Sequence, residues 1–309
     1  MSLERRDYAG WPDSWWLGNG EVELVVPPQI GPRVLRYGRA GGPNLFHNFA
    51  DALGRSGEPD WQNRGGHRLW AAPETPSSKA LDNVSVEVAA EGLGLAIRLA
   101  LRQRAEPESG LEKEIEIQLA HAGTAVTVLH RITNRNSRAV RLAPWGLSVM
   151  RPGGIAVAGF PPRLRQDDRL LPTNPLTMWG YTDFSDPRWR FTRRFLLLRQ
   201  DPAATAPQKA GLFAENAWAA YAVGGDLFLK RARACAGAEY PDFGCSVEIF
   251  TNAAMLEVET LGRLATVEPG AAVEHIEEWS LHRAPALDTA SDEELAEFFY
   301  PLVAGGRNG

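Results

Sequence analysis

Between Val84 and Thr133 the chain repeats one pattern at intervals of about ten residues, a short alternating run followed by a turn. The runs are VSVEVA (84–89), LAIRLALR (95–102), LEKEIEIQL (111–119) and AVTVLHRIT (125–133). The turns between them carry Glu-Gly, Glu-Ser-Gly and Ala-Gly. Successive side chains of a strand point to opposite faces, so an alternating run buries one face and wets the other. Four such runs in series, each a short turn from the next, commit this stretch to an antiparallel meander.

The same signal continues outside the meander. Glu21–Val26 alternates and stops at Pro27-Pro28, and Arg33–Tyr37 reads as a short strand ending at a glycine-rich turn. Val140–Met150 is a further strand region. Strands are also expected at Gly211–Phe213, Trp218–Val223, Leu227–Arg231, Ser246–Thr251, Met255–Thr260 and Ala272–Leu281. With 30 glycines and 22 prolines, the chain has breakers enough to punctuate so many strands. Residues 151–208 are rich in Pro, Arg and Trp, and they read as irregular loop excursions from the sheet. One helix is expected, over 291–303. Ser291 and Glu294 form its capping box, and Leu295, Phe298, Phe299 and Leu302 give it one apolar stripe for docking. No repeat or linker divides the chain. The expectation is a single mainly β domain over 1–309, a large antiparallel β-sandwich with a short C-terminal helix.

Several function classes drop out on composition. Net charge is −5 with both signs mixed along the chain, so no basic stripe marks a nucleic-acid partner. No apolar run reaches the ~18 residues of a membrane span. The opening MSLERRDYAGW lacks the apolar core of a signal peptide, which points to the cytoplasm. Two cysteines, Cys235 and Cys245, make neither a disulfide framework nor a zinc site. There is no P-loop, GxGxxG, GxSxG or HExxH, so no cofactor and no metal are expected.

Ten tryptophans are many for this length. In a sheet protein they either fill the core or offer flat faces to sugar rings. Asn63–Glu74 (NRGGHRLWAAPE) sets an imidazole, a guanidinium, an indole and a carboxylate close together, at His67, Arg68, Trp70 and Glu74. Its two glycines allow a sharp turn or a close approach. Hydrogen-bonding groups beside a stacking surface suit a small carbohydrate; the plain alternative is a structural loop with Arg68 paired to an acid. Glu257 and Glu259 in MLEVETLG fall on one face of a strand about 6.6 Å apart. Two carboxylates so placed serve as a base, a hydroxyl clamp or a cation site, or form a solvated outer face. Lys209, Tyr240 and Asp242 (in AEYPDFG) and Trp145 (in APWGL) are further binding candidates.

These segments resemble the galactose mutarotase-like (aldose 1-epimerase-like) superfamily. NGEVELVVPPQIGPRVLRYGRAGGPNLF resembles its opening hairpin, with a G…NL element at Gly42 to Leu45. GGHRLWAAPE sits where those proteins line the sugar site, and MLEVETLG resembles the late strand that carries their general-base glutamate. With APWGL and YPDFGCSVEIFTN added, the chain is most similar to an uncharacterised bacterial family within that superfamily, over roughly residues 18–283. The resemblance implies a β-supersandwich with a concave carbohydrate face. It also implies mutarotation, in which a glutamate takes the anomeric proton and a histidine protonates the ring oxygen. Glu259 then becomes the base, with Glu257 second. The usual histidine stands in an NHxYF-type strand, whereas this chain has APWGLSVM with Trp145 near that place. His67 is left as the acid, reaching in from another strand. Two readings follow: an enzyme acting on an aldose or sugar phosphate, or a carbohydrate-binding or structural module that has lost its histidine.

Overall fold

The meander expected over 84–133 is present as Glu87–Gly92, Ala96–Arg102, Leu111–Ala120 and Val126–Asn134, each paired antiparallel with the next. The structure is a computed structural model that describes residues 1–75, 83–92 and 96–304, so Leu95 of the second run lies outside the described residues. The four strands form one end of a large sheet. The order continues through Ala272–Arg283, Asp226–Arg233, Asn216–Val223, Ile155–Gly159, Phe195–Arg199 and Trp189–Phe191. All of its pairings are antiparallel.

A second sheet, here the site sheet, runs in the order Leu176–Met178, Gln208–Leu212, Val247–Thr251, Leu256–Leu261, Val140–Met150, Gly66–Ala72 and Arg33–Val34. Ala265–Val267 pairs with the first residues of Val140–Met150. The inner faces of the two sheets interdigitate as a sandwich. Leu99, Ile117 and Val128 from the large sheet share one core with Leu256, Val258 and Ile249 from the site sheet. Each such side chain contributes roughly 1.5–3 kcal/mol when fully buried. Among the described residues, no helix is long and apolar enough to cross a membrane.

Sheet outer faces usually meet water, but both sheets here are partly covered. The C-terminal helix, Asp292–Ala304, lays Leu295 and Phe299 against Val157, Phe195, Trp218 and Leu229 of the large sheet. Its start is fixed as expected: the Glu294 amide donates to Ser291 Oγ at 3.2 Å, and the Ser291 amide donates to Glu294 Oε2 at 2.7 Å. On the site sheet, Leu256–Leu261 is buried at every position, so its polar face is under cover as well.

Three sequence expectations change. Arg33–Tyr37 is two elements: Arg33–Val34 pairs with the site sheet, while Arg36–Arg39 pairs with Val22–Val26 in a small four-stranded sheet. That small sheet begins with a hairpin, Ser2–Tyr8 and Trp11–Gly18, which the sequence pattern does not signal. Ser2–Tyr8 is exposed along almost its whole length, so it carries no apolar alternation. The stretch 151–208 is not simply loop. It holds Ile155–Gly159, Leu176–Met178, Trp189–Phe191 and Phe195–Arg199. Ile155–Gly159 is buried on both faces, and such strands read as continuous apolar runs with no period.

Candidate functional site

Register alone assembles the site. Residues directly opposite one another in an antiparallel pair share a face. Glu259 lies opposite Leu147 on one side and Glu248 on the other; Leu147 lies opposite Arg68, and Glu248 opposite Gly211. One step along, Glu257 lies opposite Phe250, and Phe250 opposite Lys209. One step the other way, Trp145 lies opposite Trp70. Three cross-strand rows therefore stand on the outer face of the site sheet. Trp61, Asn63 and Tyr181 close over them from loops, and the whole encloses a cleft of about 310 Å³. That is the size class of a small-molecule site.

The charges in this cleft are buried and interlocked. Lys209 Nζ lies 2.7 Å from Glu248 Oε2 and 3.2 Å from Glu259 Oε2, and it packs between the Trp145 and Trp179 rings at 4.7 and 4.6 Å. Burial works against the Lys209 charge, but Glu248 and Glu259 outweigh it and hold the ammonium above the ordinary lysine range. The Trp145 indole N–H donates to Glu259 Oε2 at 2.8 Å. Glu259 is thus held by one oxygen, while Oε1 has no hydrogen-bond partner among the described residues. Arg68 Nη2 lies 3.0 Å from Glu257 Oε1, and the guanidinium sits 4.5 Å over the Trp70 ring. Arg68 Nε and Nη1 and the Trp61 indole nitrogen also have no hydrogen-bond partner among the described residues. Burial pushes the Glu257 carboxyl up; Arg68 works against this, and Glu259 adds to it. Burial likewise raises Glu248 well above the carboxylate range, with Lys209 opposing. Burial pushes the Tyr181 hydroxyl up to about 12, with Lys209 pulling it down.

Of the candidates read from sequence, Arg68, Trp70, Glu74, Trp145, Lys209, Glu257 and Glu259 converge on this cleft. His67, Tyr240 and Asp242 do not. His67 neighbours Arg68 in the strand Gly66–Ala72, so its side chain points the opposite way, into the space between the sheets. Tyr240 packs on Phe213, and its hydroxyl accepts from the Cys235 amide at 2.8 Å. Asp242 belongs to a tight turn at φ 52°, and its carbonyl accepts from the Thr177 hydroxyl. The glycines before His67 serve packing: a Cβ on Gly65 would stand 2.0 Å from the His47 carbonyl oxygen. Sequence reading misses Trp61, Glu248, Phe250 and Tyr181. Glu248 and Phe250 are findable, because pairing the strands 247–251 and 256–261 sets them beside Glu259 and Glu257. Tyr181 sits in the irregular stretch and carries no periodic signal.

His67 instead joins a second polar cluster directly behind the cleft. His130 donates from Nδ1 to the His275 carbonyl at 3.1 Å, which leaves its Nε2 to accept from His67 Nε2 at 2.7 Å. His67 Nδ1 then accepts from the Ser148 hydroxyl at 2.9 Å. These tautomers are assigned from the partners each ring has. Lys230 Nζ pairs with Glu277 Oε1 at 2.8 Å and donates to the Gly146 carbonyl at 3.0 Å. The Trp279 indole donates to Glu277 Oε2 at 2.7 Å. A Cβ at position 146 would stand 2.3 Å from Glu277 Oε1, which explains the glycine in APWGL. The ligating atoms of His67, His130 and Glu277 lie within 4.8 Å of one another, close enough to share an ion. Each of those atoms already has a protein partner, and Lys230 supplies the positive charge a metal would bring.

No protein-family model matches the chain, and no curated protein matches it. Solved structures do. A proposed aldose 1-epimerase from Klebsiella pneumoniae superposes with a TM-score of 0.62 at 11% identity, covering 96% of this chain and 88% of its own. The Slr1438 protein from Synechocystis gives 0.56 at 13% identity, covering 92% and 99%. A galactose mutarotase-like protein from Lactobacillus casei gives 0.53 at 13% identity, covering 87% and 100%. Likeness at these identities speaks for architecture, and with the sheet order above it makes this chain a β-supersandwich of the galactose mutarotase-like fold.

Proposed function

We propose that the cleft binds an aldose and that the protein interconverts its anomers, with Glu259 as the base. One observation carries the reading. Glu259 Oε1, Arg68 Nε and Nη1 and the Trp61 indole, from separate segments, face one cleft with no hydrogen-bond partner among the described residues. Leaving a buried polar group unpaired costs about 1–3 kcal/mol, and a polyol, whose hydroxyls both donate and accept, satisfies donors and acceptors together. Lys209 and the Trp145 indole fix Glu259 through Oε2 and leave Oε1 to take the anomeric proton. Arg68 and Lys209, which line the cleft, each already stand against an acidic side chain, which favours an unphosphorylated ring over a sugar phosphate. Neighbours called mutarotase-like support the same class of ligand.

Magnetisation-exchange NMR on equilibrated aldoses tests the activity. Glu259→Gln is expected to slow catalysed exchange by at least ~100-fold, the scale of a lost general base, and unchanged exchange would remove Glu259 from that role. A second reading, binding without turnover, is favoured by the fact that no histidine among the described residues lines the cleft. It predicts calorimetric affinity for a sugar with exchange at the uncatalysed rate.

A further inference from the structure

Given that reading, we infer that Glu257 is the proton donor that replaces the absent histidine. Opening the ring needs two groups, one for the anomeric hydroxyl and one for the ring oxygen. Both oxygens hang on the same carbon. Glu257 and Glu259 project from one strand onto the cleft face with Cα atoms about 6.6 Å apart, a spacing from which two carboxyl groups can straddle such a pair. The other proton carriers of the cleft are poorly suited. Arg68 never gives up its proton. The Lys209 ammonium is fixed between Glu248 and Glu259. Burial and Glu259 strengthen the hold of the Tyr181 hydroxyl on its proton despite Lys209. Glu74 is exposed, beyond the end of Gly66–Ala72.

Charged groups act on the Glu257 carboxyl from both sides of the site sheet, and Lys230, in Asp226–Arg233, does so from behind it. Arg68 faces the carboxyl from Gly66–Ala72, Lys209 from Gln208–Leu212, and Glu259 from its own strand. Burial and Glu259 favour the protonated form, which donates; Arg68 and Lys209 favour the carboxylate that remains after donation. That balance keeps the group usable in both directions.

In the opening step, Glu259 takes the proton of the C1 hydroxyl, whose oxygen electrons form the C1=O bond. The C1–O5 bond breaks with its electron pair going to O5, and O5 takes the proton from Glu257. Rotation about C1–C2 and the reverse transfers close the ring on the other face: O5 returns its proton to Glu257 as it attacks C1, and the former carbonyl oxygen takes back the proton held by Glu259.

The test combines exchange NMR and calorimetry across pH on the full chain. Wild-type exchange should fall on the alkaline side as Glu257 ionises. Glu257→Gln should lose ~10²- to 10⁴-fold in rate while still binding sugar, and should lack the alkaline fall. Glu257→Asp should restore the fall with a reduced rate, which covers the case where the glutamine variant does not fold. Arg68→Gln should move the fall to higher pH, because it removes a cation that favours the carboxylate; a purely structural Glu257 predicts no such movement. An alkaline fall unmoved in Arg68→Gln, or Glu257→Gln exchanging at the wild-type rate, overturns the assignment and leaves the mutarotation reading standing. Wild-type binding without exchange overturns the reading and the assignment together.

Discussion

Lys209 is the residue on which the cleft's charges depend. Glu248 and Glu259 are fully buried on the same face, and its ammonium is the cation that touches both. Removing one partner of a buried ionic cluster typically costs about 3–5 kcal/mol, because the remaining charges have no compensation. Lys209→Met should therefore lower unfolding free energy by roughly that amount in urea titrations, and adding Glu248→Gln should recover part of it. Parity decides how well such residues can be read. Arg68 and Trp70, or Glu257 and Glu259, stand two apart, and strand periodicity alone makes them face-mates. His67 is close to Arg68 in sequence, which suggests a shared site, but in a strand neighbours point apart.

Elements with one wet face are the easiest to foresee, and the meander strands are legible to within a few residues. Strands buried on both faces, such as Ile155–Gly159, and strands wet on both, such as Ser2–Tyr8, lose the period that betrays them. The C-terminal helix is legible because its cap and its stripe agree. Its two contributions should separate in thermal or urea unfolding. Ser291→Ala should cost about 1 kcal/mol through the lost cap. Phe299→Ala, which empties a fully buried site against Phe195 and Trp218, should cost ~3–5 kcal/mol.

Across the whole molecule, the two sheets are tied by polar groups as well as apolar ones. Lys230 and Glu277 rise from the large sheet and meet His67, Ser148 and Thr260 of the site sheet. Burial holds His67 and His130 below the usual imidazole range and pushes His275 down to about 3, although Glu277 opposes it in each. Folded-state values below the unfolded value of about 6.5 mean that the unfolded chain binds more protons. Their contribution is complete above that pH and is lost as pH falls below it. The histidine share, read as the melting-temperature difference between wild type and His275→Gln, should hold between pH 8 and 7 and change steadily toward pH 5, with the wild type losing more on acidification than the variant. Nothing in the sequence announces this tie, because His130 and His275 lie far apart and meet only through strand pairing.

The indoles around the cleft give the molecule an optical reporter of its own. Four of the ten tryptophans, Trp61, Trp70, Trp145 and Trp179, surround the Arg68 and Lys209 cations, and Trp145 is hydrogen-bonded to Glu259. Indole emission responds to nearby charge and to the loss of a hydrogen bond. A ligand that draws on Glu259 or Arg68 therefore changes intrinsic fluorescence directly, and a panel of unlabelled sugars can be screened by emission alone, with Trp145→Phe dimming the response.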